Sequence, residues 1–235
     1  MIAAVTFDFW GTLVDARHAS RELRAQILAA QLRDVSAAAV DAAYEICWQS
    51  FLAQMEAGFG LAPATLLSQT LEALGATLPP DRYAAVLDGW QRAVLEDPPP
   101  FLPGALDVLR TLRARGLLLG LISDTGASPG RVLREFLSRA GARSLFDWLT
   151  FSDETGVSKH CPQAFRLTLR ALGVTPQQAL HVGDTPGPDI HGAHAAGLRA
   201  ALVLECSQRR DGISTADLVL SHLRDLPSAL DASGW

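Results

Sequence analysis

Four short apolar runs, three closing on a carboxylate and one following a glycine, constrain the fold of this chain more than any other feature. IAAVTFDF (2–9) presents Asp8 near its end, GLLLGLISD (116–124) closes on Ser123 and Asp124, QALHVGD (178–184) closes on Asp184, and RAALVLE (199–205) follows Gly197 and Leu198. Runs of this length, apolar throughout and bounded by Gly or Asp, read as strands buried on both faces. Helical patterns alternate with them: GALDVLRTLRARG (104–116) after Pro103, RVLREFLSRAG (131–141) and QAFRLTLRALG (163–173), each closing on a glycine. Such alternation argues an α/β fold with a parallel, doubly wound, Rossmann-like sheet. Ligands of these sheets bind beyond the carboxyl ends of the strands, where three of the four runs place an Asp.

Residues 15 to 98 interrupt the alternation. From RHASRELRAQILAAQLRDV to DRYAAVLDGWQRAVLED the pattern is helical, without a strand signal, and it stops at Pro98, Pro99 and Pro100. The expected organisation is therefore a core of residues 1–14 and 99–235 with an all-helical insertion of four or five helices at 15–98. An insertion at that point lies over the strand ends, where a lid excludes water and selects substrates. Trp48, Phe51, Met55 and Trp90 fall at helical spacing within it and are read as packing residues.

The net charge of −5 and pI near 5.6 offer no basic field to nucleic acid or to an anionic membrane. An anionic substrate must then meet a local cation, and among the 20 basic residues only Lys159 is a lysine, a compact point charge that arginine does not replace. Cys47, Cys161 and Cys206 have neither disulfide-framework nor zinc spacing. No basic leader and no uncharged run of spanning length stands at the N-terminus, so the chain reads as cytoplasmic and free of membranes.

Four motifs stand in order: FDFWGTLV, LISDTG, Lys159 within SDETGVSKHCPQAF, and HVGDTPGPDIHGAHAAG. Together they resemble the haloacid dehalogenase superfamily of hydrolases, whose first motif has the form DxDxT. The resemblance spans nearly the whole chain: the helical insertion sits where such enzymes carry a helical cap, and LVLSHLRDLPSAL is similar to their last strand and helix. Physically, Asp8 at a strand end is placed as a nucleophile that forms a covalent ester. Thr12, Ser123 and Asp124 lie where phosphoryl oxygens would be held, Lys159 where oxyanion charge develops, and Asp184 and Asp189 offer hard oxygen ligands. The resemblance implies Mg²⁺ held by Asp8, Asp184 and the backbone carbonyl of Trp10, with Asp189 acting directly, through water, or by orienting Lys159. It implies as partner a small phosphorylated substrate. Asp124 and Asp189 also fit helix caps or turns, His191 and His194 read as one surface helix face, His181 as core support, and Asp153 with Glu154 as a solvated turn.

Trp10 is the departure from the family pattern. Phosphatases of the family carry there a second Asp that protonates the leaving oxygen, help worth about 10²- to 10⁴-fold that an indole cannot give. Asp15 and His18 are the replacement candidates in the insertion. Haloacid dehalogenases carry an aromatic at this place and release halide without a proton; against them stand the retained Asp184 and Asp189, and an insertion whose nearest arginine is read as Arg33, with none in YEICWQSFL. Phosphonate hydrolases need a cap lysine, and residues 15–98 hold none. A non-catalytic protein that keeps only the phosphate and metal cradle is the remaining alternative. Metal-dependent phosphate-ester hydrolysis is the expected activity.

Overall fold

The structure, a computed structural model, describes residues 1–17, 20–206 and 213–235. Among these residues six strands form one sheet: β1 (Ala4–Phe7), β2 (Leu118–Ser123), β3 (Trp148–Phe151), β4 (Ala179–Gly183), β5 (Arg199–Val203) and β6 (Leu218–Leu220). Their order is β3-β2-β1-β4-β5-β6 and every pair is parallel, so the chain leaves the centre in one direction, returns, and leaves in the other. The switch point lies between β1 and β4, where a parallel sheet opens a crevice at its carboxyl edge.

The expected α/β class is thus observed, with one strand the sequence reading did not find. β3 is the four-residue run WLTF, too short to register beside the longer apolar runs and followed at once by the helical turn Ser152–Thr155. Strand parity divides the core. Val5 and Phe7 face one layer with the helices Ala105–Ala114 and Gly130–Arg139, while Ala4 faces the other, with Phe165 and Leu169 of the helix Pro162–Leu172. The local chemistry agrees: Ala105, Val108, Leu109 and Leu112 bury one stripe, and the helix at Pro162 begins with Pro at its first turn and ends at Gly173 with φ 69°. Each wholly buried Leu or Phe in these layers is worth about 1.5–3 kcal/mol.

Residues 15–98 hold, among those described, four helices and no named strand: α1 (Arg21–Ala29), α2 (Ala37–Glu56), α3 (Pro63–Ala73) and α4 (Pro80–Glu96). They share a separate apolar cluster built on Phe51, Leu66, Leu67 and Trp90. Phe51 and Trp90 are packing residues, as read from the sequence. Polar seams join this block to the sheet layers. Arg92 on α4 pairs with Glu135 at 3.0 Å, and the segment after α2 is stitched to the loop before Lys159. There Ser158 donates its hydroxyl to the Met55 carbonyl at 2.6 Å and its N–H to Gly58 at 3.0 Å, while the N–H of Gly60 meets the Gly156 carbonyl at 3.0 Å. No helix among the described residues is long and apolar enough to cross a membrane.

Candidate active site

β1 ends one residue before Asp8, and β4 ends one residue before Asp184, so the switch point sets the two carboxylates side by side. Asp189 joins them from a π-helical turn, Pro186–His191, and one oxygen of each of the three lies within 4.8 Å of the others. Two glycines make this approach feasible. A Cβ on Gly11 would stand 2.5 Å from Asp184 Oδ2, and Gly11 also takes φ +79°, which L side chains rarely adopt. A Cβ on Gly183 would fall 2.2 Å from Cγ of Asp189.

Lys159 reaches in from the loop before the helix at Pro162. Its ammonium donates to Asp8 and, at 2.6 Å, to Asp189 Oδ1, and its side chain is 5% exposed. The Asp124 carboxylate accepts the Lys159 backbone N–H at 3.0 Å. It therefore holds the lysine's loop; the helix after it begins only at Gly130, so the helix-cap alternative for Asp124 does not apply. Asp189 spends its second oxygen on the N–H of Thr185 at 2.9 Å, and His181 Nε2 stands 3.3 Å from its first. His181 is in turn paired through Nδ1 with Thr6 Oγ1 at 2.9 Å, its register neighbour on β1. A polar pair facing each other across two otherwise apolar strands was the available signal for this buttress, which the sequence reading took only as general support.

Ser123 ends β2 and donates its hydroxyl to the Asp124 carbonyl at 3.3 Å. Thr12 is wholly buried, and its hydroxyl has no hydrogen-bond partner among the described residues. Trp10 stands edge-on to Phe9 at 4.9 Å and lines the cleft. Asp15 accepts Nε of Arg17 at 2.9 and 3.0 Å, and His18 lies outside the described residues. The segment at 152–155 is a helical turn in which Asp153 is half-buried and accepts the N–H of Gly130 at 3.1 Å, while Glu154 is solvent-exposed, as read from the sequence, and pairs with Arg134. His194 is bonded to Asp217 at 2.7 Å.

Burial first, and then the neighbouring acids, push the site's protons upward. Desolvation lifts Asp8 well above its ordinary range against the pull of Lys159. Desolvation and then the charge of Asp189 lift Asp184 to about 7. Asp189 is itself held below the carboxylate range: burial opposes the charge, but Lys159 and His181 overcome it. The ammonium is likewise desolvated, yet Asp189 and Asp8 hold it above the lysine range. Three carboxylates, Asp8 and Asp189 buried and Asp184 half-buried, around one ammonium offer hard oxygens that fit a divalent cation.

Above the acids opens a cavity of about 770 Å³, roofed by α1 and α2. Arg17, Arg21 and Arg24 reach its wall, which corrects the reading of Arg33 as the nearest arginine. Arg24 was overlooked because only the docking of α1 shows that its guanidinium turns inward, where it donates to Ser128 Oγ at 2.7 Å and the Trp90 carbonyl at 3.0 Å. Trp48 and Met55 also line the cavity, so for these two the pure packing role read from the sequence is incomplete.

The family model of haloacid dehalogenase-like hydrolases matches residues 2–197. A phosphoserine phosphatase of Thermus thermophilus is 38% identical over 127 residues, which is 54% of this chain and 50% of that protein. The chain thus spans about half the length of this relative. A glyceraldehyde 3-phosphate phosphatase of Methanopyrus kandleri is 28% identical over 200 residues, 84% of this chain and 82% of that one. A solved 2-haloacid dehalogenase from Pseudomonas syringae pv. Tomato DC3000 superposes with a TM-score of 0.74 over 99% of this chain and 100% of the other, at 24% identity, a likeness of fold.

Proposed function

Because the chain belongs to the haloacid dehalogenase-like hydrolases, we propose that it is a Mg²⁺-dependent phosphate-ester hydrolase working through an aspartyl-phosphate at Asp8. The observation that carries this reading is the quartet of Asp8, Lys159, Asp189 and Asp184 at the carboxyl ends of β1 and β4. Mg²⁺ on Asp8, Asp184 and the Trp10 carbonyl supplies positive charge against the phosphoryl oxygens. Both oxygens of Asp189 are already engaged, which favours its part as the residue that orients Lys159.

One oxygen of Asp8 attacks phosphorus in line while the ester P–O bond breaks and its electron pair leaves with the alcohol oxygen. Lys159, with the hydroxyls of Thr12 and Ser123 and the loop after Asp124, holds the transferring oxygens. Water then attacks the same phosphorus, and the P–O bond to Asp8 breaks, returning the carboxylate. Trp10 can neither give a proton to the leaving alcohol oxygen in the first step nor take one from the attacking water in the second, and Asp15 is tied to Arg17, so these protons are exchanged with solvent and turnover is slow for esters whose alcohol leaves poorly. The core is 1–14 with 99–235 and the cap is 15–98; the substrate is a small phosphorylated molecule, and three free cysteines agree with a cytoplasmic setting.

A second reading, C–halogen hydrolysis, is favoured by Trp10 and Arg24 on the cavity wall. Release of phosphate from p-nitrophenyl phosphate with and without Mg²⁺, alongside release of chloride from 2-chloropropionate, separates the two. The phosphohydrolase reading predicts Mg²⁺-dependent phosphate release, abolished in Asp8→Asn. Chloride release without phosphate release overturns it.

A further inference from the structure

The roof of the cavity carries information about the substrate that the acidic floor does not. One face of α2 looks into it: Tyr44, Trp48, Leu52 and Met55 recur at intervals of four, four and three residues, the spacing of a single helical stripe. The aromatic part of the stripe is built as a unit. The Trp48 ring is stacked on Tyr44 with centroids 6.1 Å apart and on Phe51 at 5.6 Å, with interplanar angles of 7° and 13°. The far edge of the Trp48 indole rests on the loop that follows Asp124, where a Cβ on Gly126 would come within 2.9 Å of it. The indole is thereby fixed on both sides, between its own helix and the loop beside the site. Along one flank of the stripe stand Glu45 and Gln49, hydrogen-bonded to one another at 2.8 Å and lining the same cavity.

A cavity of about 770 Å³ is far larger than a phosphoryl group with a two- or three-carbon stem requires, and falls in the range that encloses a drug-sized ligand. Short polar phosphoacids would leave the half-buried Trp48 and Leu52 of this stripe uncovered; Tyr44 and Met55, each 8% exposed, are already buried. A flat ring set against the accessible part of the stripe buries apolar area against the Trp48 indole and Leu52, with Met55 beside them. Glu45, which also accepts Arg21 on its second oxygen, and the Gln49 amide would offer remaining lone pairs to donor groups on one edge of such a ring.

We propose that the esters this site takes carry an aromatic ring on the leaving alcohol, seated against Trp48 with its polar edge toward Glu45 and Gln49. This selects the substrate class within the phosphohydrolase reading and rests on it. Trp48 is the specificity-determining residue, and the shape of the roof distinguishes this chain from a site fitted to a small phosphorylated acid or aldehyde.

The test uses phosphonates, which bind without turning over. Calorimetry with Mg²⁺ present compares 3-phenylpropylphosphonate with propylphosphonate, two ligands with the same head group and stem. The phenyl compound binds at least about tenfold more tightly to the native protein, the order of gain that a ring seated on an aromatic side chain brings. Trp48→Ala erases that ratio, weakening the phenyl compound by about tenfold and propylphosphonate by far less, and Trp48→Phe keeps most of it; unaltered circular dichroism shows that both variants are folded. Equal affinities in the native protein, a ratio that survives Trp48→Ala, or failure of both ligands to bind overturns the inference. Equal affinities in a protein that still releases phosphate from p-nitrophenyl phosphate remove the ring preference alone. A phenyl preference in a protein that releases no phosphate removes the hydrolase reading instead.

Discussion

Replacing Lys159 by Met deletes the chain's single lysine and keeps a side chain of similar length, so the change is one of charge. The ammonium bonds Asp8 and Asp189 and is 5% exposed, with both acids equally enclosed. Removing one partner from a buried pair costs about 3–5 kcal/mol because the other charge stays in low dielectric. In a chain of this size each kcal/mol lowers the melting temperature by about 2–4 °C, so the expected fall is about 6–20 °C. The loss depends on pH in a defined direction. In the native protein Lys159 is held above its ordinary range, so its contribution is present below that range and is lost only at high pH. Asp189 is held below its own, so its contribution is present above the ordinary carboxylate value and is lost only in acid. Between pH 5.5 and 8 both contributions are intact. In the variant, Asp8 and Asp189 face Asp184 without a cation, and their proton affinities rise; one proton taken up across that interval recovers up to about 3 kcal/mol, at 1.4 kcal/mol per pH unit. Urea and thermal denaturation of the metal-free proteins at pH 5.5 and pH 8 measure both quantities. A loss below about 1 kcal/mol at pH 8, or the same loss at both pH values, would refute the claim that Lys159 neutralises this cluster.

Gly11→Ala places a methyl 2.5 Å from Asp184 Oδ2 at a φ of +79°; it should cost about 1–3 kcal/mol in stability and lower Mg²⁺ affinity, and an unchanged calorimetric titration would count against Asp184 as a ligand. Asp184, lifted to about 7 chiefly by burial, must lose its proton to bind a cation. Apparent Mg²⁺ affinity should therefore rise by about tenfold per pH unit up to pH 7 and level off above it, whereas a flat profile from pH 5.5 to 8.5 would contradict that account. Trp10→Asp restores a carboxyl where the family's phosphatases keep their acid and should raise phosphate release from an alkyl phosphate by about 10²- to 10⁴-fold; no gain would mean that the position does not limit turnover.

The strand ends were legible because a strand buried on both faces is an uninterrupted apolar run, and a carboxylate at its end breaks the run visibly. Asp8, Asp184 and the helix pattern after Pro103 are of this kind. β3 lacked that length: four residues between a turn and a helical turn carry too little periodicity to stand out. Lys159 and Asp189 were legible through the motif, while what holds them was not, since the pairings of Lys159 with Asp124 and of His181 with Thr6 join residues 35 and 175 positions apart. The face that a helix turns to a cavity is settled by docking. The sequence therefore offered Trp48 and Phe51 as equivalent packing residues, and the structure puts Phe51 in the core of the helical block and Trp48 on the cavity wall. Arg24 escaped notice for the same reason.

The most direct measurement on the central claim is mass analysis of the protein quenched in acid within one turnover of p-nitrophenyl phosphate and Mg²⁺. The account predicts one phosphoryl group on the peptide that contains Asp8, absent from Asp8→Asn and absent without Mg²⁺. Phosphate release with no phosphorylated Asp8 peptide, or an Asp8→Asn protein that turns over like the native one, would contradict it.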